Sequence, residues 1–203
     1  MNITANSKVN HFMIEQYLGS SSIIDWHHPS IKDLASRFSN GCASQAEIAK
    51  NCFEWVRNEI KHSYDYKLNP VTCKASDVLV HKTGYCYAKS RLLAALLRAN
   101  NIPSGFCYQR LRSDNRISPF CLHRLNAIYL QEFGWYRVDA RGNKPGIDAQ
   151  FCPPSEKLAF QVDEKVEVTF PKIWIDPLEI VIDTLTKNRT YLDVYNNLPD
   201  MVS

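Results

Sequence analysis

Between Gln45 and Ile60 the apolar residues Ile48, Ala49, Cys52, Phe53, Val56 and Ile60 recur every three or four positions. That spacing lines one face of a helix and predicts one over this stretch, with the face turned to the core. Ser44 stands just before it and Glu47 three residues on, the pair that closes a first helical turn as a capping box. A second helical pattern opens at Cys86. From Ala88 to Arg98 nearly every residue is a strong helix former, and Ser90, Leu93 and Leu97 continue a stripe that starts at Cys86. Pro103 forbids continuation, so this helix ends near Asn100-Asn101. Shorter helices are expected over Ile31–Ala35, after Pro29, and through Val80 from Ser76, read as its N-cap.

Beyond Pro103 the pattern changes to strand-forming types. Gly105–Leu111, Leu122–Leu130 and Trp135–Ala140 are the expected strands, the last two joined as a hairpin. After Pro153-Pro154 the alternation from Val166 to Phe170 predicts an additional edge strand. The fold class read from this order is α+β, with the Cys86 helix packed on an antiparallel sheet. Hairpin register then becomes a test. Facing residues share a sheet face, so a loop of odd length puts Asp139 opposite Leu125 and on the face of His123. An even loop puts Asp139 opposite Asn126, on the wrong face. Gly134 suits the left-handed residue of an odd loop.

Composition narrows the class. At 203 residues, 45% hydrophobic and 22% charged, the chain suits one globular domain, residues 1–203. Its net charge of +3 is small and its basic residues scattered, which argues against nucleic acid as a partner. The first residues lack a secretion-signal layout, and the apolar run Leu92 to Leu97 is too short for a membrane span. The seven cysteines are irregularly spaced, without a Cys-x-x-Cys pair, so free thiols in a reducing cytoplasm are expected. Cys121 and His123 lie two apart and His27 and His28 are adjacent, but no spacing matches a closed zinc site. No metal or cofactor is expected.

Candidate chemistry centres on Cys86. A thiol at a helix N-terminus meets unpaired backbone N–H groups and the positive end of the dipole, which favour the nucleophilic thiolate. The same N–H groups suit an oxyanion formed when sulfur attacks a carbonyl. His123 and Asp139, on later strands, complete the set a cysteine nucleophile needs: a base that shares the thiol proton and a carboxylate that orients the base.

In these residues the sequence resembles the transglutaminase-like superfamily, a branch of the papain-like cysteine enzymes. The resemblance rests on Trp55 to Ile60, Ala75 to Leu79, Gly84 to Lys89, Leu93 to Pro103, His123 and Trp135 to Asp139. It spans roughly residues 47–152, with residues 1–46 and 153–203 expected as extensions packed on that core. It implies a papain-like fold and a Cys86–His123–Asp139 triad that transfers acyl groups through a thioester. Many relatives follow the histidine with a small residue and a tryptophan, where this chain has Arg124-Leu125. The chain is also far shorter than the animal cross-linking enzymes and shows no sign of their β-domains or calcium dependence.

Secondary candidates surround the triad. The segment His62 to Tyr66 is the expected source of a second oxyanion donor, with Tyr64 chosen and Gln109 as the alternative. Trp55 and Trp135 are read as core. Arg141-Gly142-Asn143-Lys144 either lines the site or forms a surface turn. Arg124, on the strand face opposite His123, is expected at solvent. The function read from the whole is hydrolysis of a peptide or protein amide. Amine transfer by the same triad and a silent binding module are the alternatives.

Overall fold

The computed structural model describes residues 13–114 and 119–202. Helices α1 (Pro29–Ser39) and α2 (Gln45–Glu59) lead into a two-residue strand β1 (Lys61–His62), then α3 (Ser63–Tyr66), α4 (Ala75–His81) and β2 (Thr83–Gly84). Helix α5 (Cys86–Ala99) follows, then the strands β3 (Ser104–Arg112), β4 (Phe120–Leu130) and β5 (Gly134–Val138). The chain continues through the hairpin β6 (Gln150–Cys152) and β7 (Ser155–Lys157), strand β8 (Val168–Thr169) and helices α6 (Glu179–Lys187) and α7 (Tyr191–Asn196). The main sheet has the order β5-β4-β3-β8 with every neighbour antiparallel. The fold is α+β.

Helix α5 is the hub. It packs against α1, α2 and α4 and against strands β3 and β4. Every residue from Cys86 to Arg98 is consequently buried, including Lys89, Arg91 and Arg98. A buried cation needs acceptors, and the backbone supplies them. Arg98 donates to the carbonyls of Gly19, Ser104 and Ile175, which ties the chain's two ends to the hub. Lys89 donates to the carbonyls of Ile60 and Arg57.

Most predicted elements are present, with informative differences at their ends. Ser44 accepts the Glu47 amide as expected, but the Glu47 carboxylate takes the amide of Ala43 rather than that of Ser44. Ser76 does not cap α4. The helix starts one residue earlier, at Ala75, and Asp25 from the preceding region bonds both the Ser76 amide and its hydroxyl. Pro29, preset for a first helical position, starts an α1 longer than expected. The expected edge strand from Val166 to Phe170 is reduced to Val168–Thr169 on the outer side of β3, extended by the Phe170 amide on the Tyr108 carbonyl.

The hairpin takes the odd register. Leu130 faces Gly134 and Asn126 faces Val138 across a three-residue loop, with Gly134 at φ +75°. Arg124 overturns the expectation for its face. It is 1% exposed, because α5 covers that side of the sheet, where Asn126 bonds the Ser90 carbonyl. Its guanidinium lies 3.7 Å from the Phe106 ring centroid. No helix among the described residues is long and apolar enough to cross a membrane.

Candidate active site

Two close approaches deliver Cys86. Strands β1 and β2 pair in parallel, setting His62 beside Gly84, and Tyr85 then serves as the N-cap of α5. A Cβ on Gly84 would come within 3.0 Å of the Ala88 Cβ and 3.1 Å of the Thr72 hydroxyl, so glycine lets the turn close against the helix. Cys86 is the first residue of the helix. The Ala88 and Lys89 amides both bond the Tyr85 carbonyl, while the amide of Cys86 itself has no acceptor within the helix.

His123 and Asp139 reach the same place from the sheet. The His123 Nε2 lies 2.7 Å from Asp139 Oδ2, with His123 4% and Asp139 0% exposed. The carboxylate also accepts the amides of Arg141 at 3.1 Å and Ala159 at 3.2 Å. The Phe160 ring stands edge-on to the imidazole at 4.8 Å between centroids. With Nε2 engaged by Asp139, Nδ1 is the ring nitrogen left to share a proton with the Cys86 sulfur. Burial works against a charged imidazole, but the Asp139 carboxylate and the Cys86 sulfur outweigh it and raise the His123 pKa. Burial likewise opposes ionisation of Asp139. The charge and hydrogen bond of His123, with the two backbone amides, hold its pKa below the ordinary value.

Cys86 and His123 open onto a pocket of about 490 Å³. One wall is His62, Asp65, Arg141 and Lys144; another is Tyr85, Tyr195 and Leu198; Phe160 lies beside His123. Asp65 receives Arg141 Nη1 at 2.7 Å and Lys144 Nζ at 2.6 Å, which overcome the effect of its burial and hold its pKa at about 2. His62 is 7% exposed, and its Nδ1 lies 3.6 Å from Asp65 Oδ2. Burial first and the Arg141 charge second press its pKa well below the usual histidine value, so it is neutral. Among the described residues no three His, Cys, Asp or Glu side chains converge as metal ligands.

The structure therefore gathers Cys86, His123 and Asp139, and the Arg141–Lys144 loop lines their pocket. Tyr64 stands at the rim, 37% exposed, stacked on Tyr195 at 4.3 Å between ring centroids. Gln109 lies directly across from His123 in the sheet, but its amide donates to Thr169 and it takes no part in the pocket lining. Trp55 and Trp135 pack against Phe38 and Tyr17, away from the pocket. His62 escaped the sequence reading although its segment did not, because the two-residue parallel pair that turns it inward joins positions far apart in the chain. Phe160, Tyr195 and Leu198 come from beyond residue 152 and carry no local signal.

A fold with a buried cysteine at the N-terminus of a central helix and a His–Asp pair on the adjoining sheet defines the papain-like class. Residues 32–140, just over half the chain, match the transglutaminase-like superfamily, and the chain belongs to it. No curated protein matches the sequence. Among solved structures, a candidate cysteine protease from Cytophaga hutchinsonii is similar at 20% identity and a TM-score of 0.50, over 63% of this chain and 42% of that one. The periplasmic domain of TgpA from Pseudomonas aeruginosa is similar at 20% identity and a TM-score of 0.46, over 61% and 45%. The chain thus spans less than half the length of these structures, and the likeness is one of fold.

Proposed function

We propose that the protein is a cysteine-nucleophile acyl-transfer enzyme that hydrolyses amides, with Cys86, His123 and Asp139 as its catalytic residues. The observation that carries this reading is the buried His123–Asp139 bond of 2.7 Å, with His123 and Cys86 lining one pocket. An imidazole kept protonated by a carboxylate favours the thiolate beside it. The thiolate attacks the amide carbonyl, forming the C–S bond. The imidazolium gives its proton to the departing amine as the C–N bond breaks, leaving a thioester. Water then attacks with His123 accepting its proton; the acid leaves and the thiol is restored.

The oxyanion is assigned to the Cys86 backbone amide and, as second donor, to His62. A neutral imidazole carries one N–H, and His62 is buried in the pocket wall, whereas Tyr64 is engaged with Tyr195 and Gln109 with Thr169. Hydrolysis is preferred to amine transfer because a transferring enzyme must keep water from the thioester, and Arg124-Leu125 rather than a tryptophan directly follow His123. The test is a thiol-directed acylating probe followed by peptide mapping. Selective modification of Cys86 among the seven thiols, lost in His123→Ala, is expected. Labelling of all exposed cysteines alike, or an amine adduct as the main product from a glutamine peptide with added amine, would contradict the nucleophile and the hydrolytic reading respectively.

A further inference from the structure

Behind the wall formed by His62, Asp65, Arg141 and Lys144 lies a second cleft of about 330 Å³, for which the mechanism has no use. It is strongly basic. Arg57 from the end of α2, Lys61 from β1, and Arg141 and Lys144 line it, against the single carboxylate of Asp65. Asp65 is already bound to Arg141 and Lys144 together. Arg57 spends its donors on neutral acceptors: the side chains of Asn58 and Gln150 and the Ala149 carbonyl. Lys61 donates to the Asn58 carbonyl. Asp148 feels Arg57 through space, but it lies outside the lining and is held by Lys157. Four cations facing one carboxylate leave a surplus of three charges, as large as the formal charge of the entire chain.

We infer that this cleft binds a carboxylate carried by the amide substrate, next to the bond that Cys86 attacks. The inference rests on the reading of Cys86 as the nucleophile. Concave walls of one sign concentrate potential and draw in an anion. Arg57 keeps its charge and an uncommitted Nη2 for a carboxylate, and Lys61 adds a mobile point charge beside it. His62, Asp65, Arg141 and Lys144 line both cavities, so cleft and pocket adjoin across one layer of side chains, and the inferred substrate crosses that layer at its rim. Asp65 would orient Arg141 and Lys144 without cancelling the remaining charge. The substrate class is an amide with an acidic residue adjoining the scissile bond.

The experiment uses matched peptide acylating probes that differ only in glutamate or glutamine on either side of the reactive carbonyl, with Cys86 labelling followed by mass spectrometry. The glutamate probe should react faster by about tenfold at low salt, since each partly exposed ion pair contributes modestly. The advantage should shrink as ionic strength rises, and the glutamate-to-glutamine ratio should fall towards one in Lys61→Gln and Arg57→Gln. Lys61 is exposed, so its variant remains informative if Arg57→Gln misfolds. Equal rates for the two probes at both positions, or a preference indifferent to salt, would overturn the inference. Protection of Cys86 by inorganic phosphate at concentrations where glutarate has no effect would overturn it in favour of a free-phosphate site. If iodoacetamide and both probes all spare Cys86, the nucleophile reading itself fails.

Discussion

A carboxylate is informative where burial should have neutralised it. Asp139 is fully buried, yet two backbone amides and an imidazole keep it ionised. Asp139→Asn can retain an amide bond through its side-chain oxygen, so the fold should survive. Turnover should drop by about ten-thousand-fold, the cost of the equivalent change in the serine-protease template, because asparagine neither fixes the tautomer nor stabilises imidazolium. The pH profile supplies a second readout. A histidine whose folded pKa is raised keeps its charged pairing below the unfolded value of about 6.5 and loses it as pH climbs through the folded value. Removing the Asp139 charge lowers that folded value, so the alkaline fall in turnover, where the imidazolium that protonates the departing amine is lost, should move to lower pH. An unmoved profile would mean that another group sustains His123. Arg124 teaches the complementary lesson: a charged residue after a strand histidine looks solvent-facing, yet a covering helix buries it.

Among the elements, α5 carries both stability and chemistry. Its helical pattern is strong in sequence, but a central helix surrounded on several sides must bury its polar residues as well as its apolar stripe. Arg98 shows how. Three backbone carbonyls, from Gly19, Ser104 and Ile175, depend on one guanidinium. Arg98→Leu fills similar space but strands the buried Ser104 carbonyl, and a loss of about 1–3 kcal/mol is expected, the cost of a buried unsatisfied group. Urea unfolding monitored by circular dichroism measures it. A loss under about 0.5 kcal/mol, the range of an ordinary surface change, would show that this carbonyl finds another donor.

On the scale of the whole molecule, the C-terminal segment closes the site. The Tyr85 hydroxyl donates to the Tyr191 carbonyl, the Leu122 amide to Pro199, and Arg110 forms a two-point bond with Asp200. These contacts bracket His123 on its strand and set Tyr195 and Leu198 against the pocket. Tyr195→Ala should therefore widen the mouth. Labelling of Cys86 by a bulky peptidyl probe is expected to rise several-fold relative to iodoacetamide, whose small size already passes. A parallel change in both rates would exclude Tyr195 as a wall.

The sequence by itself determined the helices over 45–60 and from Cys86, the hairpin and the order of Cys, His and Asp, because these are signals of local periodicity and residue type. It also posed the register question sharply enough for a three-residue loop to answer it. Only the tertiary structure decided that Asp25 replaces Ser76 as a cap, that Gln109 turns to Thr169, and that Arg124 lies beneath α5. It alone brought His62 to the pocket and residues beyond 152 to its wall. The physical reason is common to all of these. Each depends on a partner many residues away, and the sheet faces, cleft walls and desolvated surroundings that choose such partners exist only once the chain has packed.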